Sequence, residues 1–150
     1  MADGVMRWTA PFDDHPARVA SRRSMEYVAL RAKDEWLALY SDDCLIEDPV
    51  GPSPFDPAGA GHRGHDRLAA FWDGTIATTE RLDFEITQSY VGGDEVANVG
   101  TITAHLPGGL QLNTYGVYVY RIDRTTGLIC SLRTFWEFDR AMGSISPSSE

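Results

Sequence analysis

The residue best placed to do chemistry is Asp48, in the run Cys44-Leu45-Ile46-Glu47-Asp48-Pro49-Val50-Gly51. Its preceding neighbours Leu45 and Ile46 are apolar, and Pro49 behind it ends any strand. A residue before proline is held extended, and proline has no N–H for a ladder. The next stretch, 51–64, holds four Gly and three Pro, the composition of a long loop. A carboxylate at such a strand end, near a helix carrying Phe71 and Trp72, can hang into a cavity. Removal from water there makes it a better general base. The plainer alternative is an Asp-Pro turn whose side chain is solvated or caps a backbone N–H. The residues alone leave both open.

Other side chains invite similar weighing. Tyr118 lies in Tyr115-Gly-Val-Tyr118-Val-Tyr120, where a tyrosine either donates a hydrogen bond or simply fills a sheet face. Phe71, Trp72 and Trp136 are large enough to line a pocket or fill a core, and the two roles are compatible. His62 and His65 stand three apart without a third ligand, so no metal is expected. No glycine fingerprint opens a helix and no Ser or Cys sits in a nucleophile-elbow context, so no cofactor is expected either.

The elements that must position these groups read in order. Asp13-Asp14 before Pro16 suggests a helix start, with acids at the positive end of the dipole, running to about Arg31. Asp34-Glu35 opens a second, short helix carrying Trp36, Leu37, Leu39 and Tyr40, ended by Ser41-Asp42-Asp43. A short strand 44–47 and the Gly/Pro loop follow. Leu68, Phe71, Trp72 and Ile76 form one stripe on a helix over 65–78. From residue 81 the period becomes two, predicting strands near 81–91, 96–106, 110–122 and 128–138 with Gly- or Asp-rich turns between. Helices first and an antiparallel meander afterwards is an α+β pattern, with the helices on one face of the sheet.

Three segments resemble bacterial ketosteroid isomerases, a branch of the nuclear transport factor 2-like, or SnoaL-like, proteins. Ala38-Leu-Tyr-Ser-Asp-Asp-Cys-Leu-Ile-Glu-Asp-Pro-Val-Gly51 is similar to that family's ALFADDATVEDPVG segment, whose catalytic Asp maps onto Asp48. Gly64 with Leu68-Ala-Ala-Phe-Trp72 resembles the helix ending AIREFY, and Gly127-Leu-Ile-Cys-Ser-Leu-Arg-Thr-Phe-Trp136 resembles the final strand GKVVSMRALF. The likeness spans about residues 20 to 139. It implies a cone-shaped α+β fold, with N-terminal helices packed on a curved, mainly antiparallel sheet around an apolar pocket. It also implies a hydrophobic ketone, steroid-like or polyketide-like, with Asp48 shuttling a proton. In the family an oxyanion is held by a first-helix Tyr and a protonated late-strand Asp. Counted without gaps, these positions fall on Ser24 and Tyr118. Tyr27, one turn after Ser24, is the possible substitute. Phe71, Trp72 and Trp136 would line the pocket. A polyketide cyclase or epoxide hydrolase on this scaffold, or a non-catalytic small-molecule-binding module, are the rival readings.

Composition sets the remaining bounds. With 150 residues one domain is expected, with about 1–13 and 143–150 as loosely ordered tails. A net charge of -9, and no basic cluster beyond Arg22-Arg23, argues against nucleic acid and against an anionic membrane surface. No apolar run approaches the ~20 residues of a membrane helix, and the first residues lack a signal-peptide core, so a cytoplasmic protein is expected. Cys44 and Cys130 read as small core thiols. An uncovered sheet face with apolar residues among polar ones suggests a homodimer.

Overall fold

The structure is a computed structural model that describes residues 2–148. Its first element is a short strand, β1 (Met6–Trp8), followed by helix α1 (Pro16–Ala29) and helix α2 (Lys33–Ala38). Pro16 takes the first helical position, where a missing N–H costs nothing. The cap comes from His15, whose Nδ1 accepts from Ala17 N at 3.2 Å. The two acids stand outside the first turn, and Asp13 instead accepts from His15 N and from Arg18. The buried side of α1 carries Ala17, Ala20, Ser21, Ser24, Met25 and Val28; its many small residues let the helix lie close to the sheet.

Strand β2 (Tyr40–Glu47) begins earlier than the sequence suggests, because Ser41-Asp42-Asp43 sits inside the strand at an irregularity between Tyr40 and Leu45. Polar residues on an exposed bulge read as a helix stop when only the sequence is available. After the loop come β3 (His62–Arg63), helix α3 (His65–Gly74) and a 3-10 turn at Ile76–Thr78. Then follow β4 (Arg81–Gly92), β5 (Glu95–Leu106), β6 (Leu110–Ile122) and β7 (Ile129–Phe135). The chain closes with helix α4 (Phe138–Met142) and strand β8 (Ser146–Pro147).

These strands form a mixed, unclosed sheet in the order β1-β4-β5-β6-β7-β2-β3, with β8 beside the start of β6. The pairs β1/β4 and β2/β7 are parallel and the rest antiparallel. Helices α1, α2 and α3 fill the concave side around Met25, Trp36, Leu68 and Trp72. The fold class is therefore as expected, a curved sheet with helices packed against it. The segments read as loose tails differ: Met6–Trp8 pairs with Phe84–Ile86, and Ser146–Pro147 with Leu110–Gln111. Two- and three-residue strands are too short to show a period, and their partners lie far off in the chain. No helix among the described residues is long and apolar enough to cross a membrane.

Candidate functional site

Strand register decides what surrounds Asp48. The parallel pairing of β2 with β7 sets Ile46 beside Leu132 and Glu47 beside Arg133, which brings Asp48 level with Thr134. Thr134 stands opposite Tyr118 on β6, and Tyr118 opposite Asn98 on β5. Side chains from four neighbouring strands thus stand in one row. Thr134, Tyr118 and Asn98 are buried, Asp48 partly so.

Two donors converge on one oxygen of Asp48. Thr134 Oγ1 donates to Oδ1, and Trp136 Nε1 donates to the same atom at 2.7 Å. Among the described residues no hydrogen bond reaches Oδ2. The two oxygens of the carboxylate are thus held unequally. Gly116 helps place Trp136: a Cβ there would stand 2.6 Å from the Phe135 carbonyl oxygen and 3.1 Å from Trp136 Cβ. Only a residue without a side chain lets the end of β7 close onto β6.

Tyr118 shares this site. Burial, and next the charge of Asp48, push its hydroxyl far above the usual phenol range, so it stays protonated. It donates to the Thr114 carbonyl at 2.8 Å. Deeper in the cone a second group of hydroxyls meets. Ser24 Oγ lies 2.8 Å from Tyr40 OH, and the Tyr120 hydroxyl is near enough to feel Ser24. All three are buried, and burial raises both tyrosines well above their ordinary value.

The SnoaL-like domain pattern matches residues 21–132. The chain belongs to the SnoaL-like family. RV0760c from Mycobacterium tuberculosis, solved in complex with estradiol-17beta-hemisuccinate, is 34% identical with a TM-score of 0.78, covering 84% of this chain and 97% of that one. The Delta 5-3-ketosteroid isomerase from Mycobacterium sp. is 33% identical with a TM-score of 0.78, covering 88% and 98%. A computationally designed 17-OHP binder is 34% identical with a TM-score of 0.78, covering 84% and 96%. No curated protein matches.

In this SnoaL-like protein the structure brings Asp48, Tyr118 and Trp136 together. Trp136, read from the sequence as a lining aromatic, is also a hydrogen-bond donor. Trp72 packs on Trp36 at 5.1 Å between ring centroids, and Trp36 on Tyr40 at 4.8 Å, so Trp72 backs the hydroxyl group. Phe71 is buried against the ring of His62, 4.9 Å away, while His65 Nε2 meets the Tyr40 carbonyl at 2.7 Å. Tyr27 opens elsewhere, onto a depression between α1 and β1 lined also by Met6, Arg23, Glu26 and Leu30. Sequence reasoning missed Thr134, Tyr40 and Tyr120. Thr134 had a signal: two places before Trp136, it shares that residue's face of the strand. The sequence reads Tyr40 as helical and Tyr120 as an ordinary strand tyrosine, and neither carries a local mark of its closeness to Ser24.

A further polar chain ties α1 to the sheet. Buried Arg18 donates to Ser89 Oγ at 2.9 Å and to the Ser89 carbonyl at 3.1 Å. Ser89 Oγ donates to Asn98 Oδ1 at 2.8 Å, and Asn98 Nδ2 to Ser21 Oγ at 2.9 Å. These bonds satisfy polar groups that would otherwise be costly inside the cone.

Proposed function

We propose that this protein is a steroid delta-isomerase-like enzyme that moves a proton on a hydrophobic ketone, with Asp48 as general base. The observation that carries the reading is the lopsided hydrogen bonding of the Asp48 carboxylate. Thr134 and Trp136 hold Oδ1, leaving Oδ2 to take a proton from the carbon beside a ketone. The electron pair moves onto the ketone oxygen, and the proton returns at another carbon of the conjugated system. Phe71, Trp72 and Trp136 are the residues proposed to contact the apolar body of the substrate. The chemistry calls for no cofactor. Relatives 33–34% identical include a ketosteroid isomerase and a protein holding a steroid derivative, which supports a steroid-like ligand.

The oxyanion needs a donor, and Tyr118 is the one proposed. Its proton must turn from the Thr114 carbonyl to the ligand. Tyr27, the other sequence candidate, faces the α1/β1 depression, which favours Tyr118. A second reading has an observation of its own. The position of the family's first-helix Tyr is Ser24, whose hydroxyl is already engaged by Tyr40. A protein without that donor would bind a steroid-like molecule and leave it unchanged.

The experiment is deuterium exchange at the α-carbon of a bound 3-ketosteroid, in the wild type and in Asp48→Asn. Asp48→Asn keeps the shape and cannot accept the proton, so exchange falls by at least about 10². Binding with equal exchange in both proteins removes Asp48 as the base and leaves the binding reading.

A further inference from the structure

On the sheet face opposite Asp48, three residues far apart in sequence form a chain of hydrogen bonds. His105 Nδ1 meets Ser148 Oγ at 2.7 Å, and His105 Nε2 meets Asp83 Oδ2 at 2.9 Å. Strand pairing puts Arg81 directly across from His105, and Arg81 Nη2 donates to Asp83 Oδ2 at 3.1 Å. Leu82, Phe84 and Ala104 are buried on the cone side, so by alternation Arg81, Asp83 and His105 project to the other face. His105 lies seven residues beyond Asn98 on β5, about 23 Å along the strand from the Asp48 row. The two places are separate.

The tautomer of His105 follows from its partners. Burial acts to raise the Asp83 carboxyl, but the Val5 N–H, His105 and Arg81 outweigh it and hold the group below the usual carboxylate value. Asp83 is therefore an anion at neutral pH, with Oδ1 taken by Val5 N at 2.8 Å. Arg81 Nη2 also lies 3.1 Å from Nε2, but Arg81 already has Asp83 Oδ2 as its acceptor, whereas an unprotonated Nε2 would set its lone pair against that of the Asp83 anion at the shorter 2.9 Å. The proton of neutral His105 thus sits on Nε2, and Nδ1 is left to accept from the Ser148 hydroxyl. Ser148 is held in place by its backbone, which donates to the Gly109 carbonyl at 2.8 Å beside the β6/β8 pair.

The geometry points to Ser148 as an activated nucleophile, with His105 as its base and Asp83 as the group that orients the base, acting on small uncharged acyl or phosphonyl electrophiles. The hydroxyl borders a depression of about 400 Å3 lined also by Ala2, Leu106 and Gly109. Glu80 and Arg81 line it with opposite charges, which gives a charged substrate no net attraction. In the reaction Ser148 Oγ bonds to the acyl carbon as its proton passes to His105 Nδ1. The alcohol or phenol leaves with that proton, and water then releases the acid and restores Ser148. No sequence pattern marks this array, because it is assembled from β4, β5 and the residue after β8.

The test uses the full chain and a fluorophosphonate, which loses fluoride and leaves a stable phosphonyl-serine. Peptide mapping of the folded protein is expected to find the label on Ser148. Ser148→Ala is expected to lose it, and His105→Gln to slow labelling by about 10² or more. Ser148→Ala removes one hydroxyl outside the core, so it remains informative even if His105→Gln folds poorly. Labelling no faster than in urea-unfolded protein, labelling spread over several serines, or an unchanged rate in folded His105→Gln overturns the assignment.

Discussion

Replacing Tyr118 by Phe removes one oxygen atom and leaves a buried ring of the same shape. In the resting structure that oxygen makes one hydrogen bond, to the Thr114 carbonyl at 2.8 Å. If this is its whole role, the loss is that of an ordinary intramolecular hydrogen bond, about 0.5–1.5 kcal/mol. For a chain of this size that lowers the melting temperature by about 1–6 °C. If the hydroxyl also donates to the developing oxyanion, turnover drops by about 10²–10³, or about 2.7–4 kcal/mol. The two sizes separate the roles. The assay pairs thermal unfolding of both proteins with turnover of a Δ5-3-ketosteroid at saturating substrate. The expected result is a fall of at least 10² in turnover with a loss of only a few degrees. Turnover within about threefold of the wild type, alongside a clear fall in melting temperature, refutes the oxyanion role. The pH profile adds a check. Burial and the Asp48 charge keep the Tyr118 hydroxyl protonated well past pH 10, so wild-type turnover does not fall there through loss of this donor.

Three further outcomes are expected. Tyr40, Tyr118 and Tyr120 have folded-state pKa values raised above the ordinary 10.0 by burial, so the unfolded chain releases their protons first. Their contribution to stability is complete below pH 10 and is lost as the pH rises beyond it. A tyrosinate absorbance titration should show three of the six tyrosines ionising only with unfolding, and smooth titration of all six in folded protein contradicts this. A 3-ketosteroid should alter tryptophan fluorescence, with Trp136→Ala removing much of the change; silence across a panel of such ligands means no usable cavity. Sedimentation at micromolar concentration should give a dimer through the uncovered sheet face, where Tyr115 and Phe135 are 38% and 45% exposed, and a monomer alone counts against it.

Much of this frame can be read before any coordinates. The α1 and α3 stripes and the four long strands carry strong periods, and Asp-Pro marks the end of β2. What escapes the sequence is whatever depends on partners distant along the chain. Strand β1 is legible only beside Phe84–Ile86. Helix α4 has five residues, fewer than two turns, and its start interrupts a run that reads as the end of β7. The site divides in the same way. Asp48 is visible because its motif is local. Thr134 becomes a partner only through the parallel register of β2 with β7. Ser24 looks like a lost tyrosine until Tyr40 is found bonded to its hydroxyl.

The arrangement around Asp48 bears on a conflict inherent in proton shuttling. The base must be oriented well enough to attack one carbon and mobile enough to deliver the proton to another. A carboxylate held through both oxygens meets the first need and fails the second; one held through neither does the reverse. Here Thr134 and Trp136 both bind Oδ1, from successive inward-facing positions at the end of β7. On the proposed reading that oxygen serves as a pivot, and small rotations about it move Oδ2 from one carbon to the other. One donor comes from β7 and the other from the residue just past its end, and the base from the residue just past the end of its parallel neighbour β2. The pivot therefore depends on one register, Glu47 beside Arg133. A slip of one residue would turn Thr134 to the opposite face and leave the carboxylate without its anchor. On the proposed reading, the parallel seam between β2 and β7 is what converts an Asp-Pro strand end into a directed base.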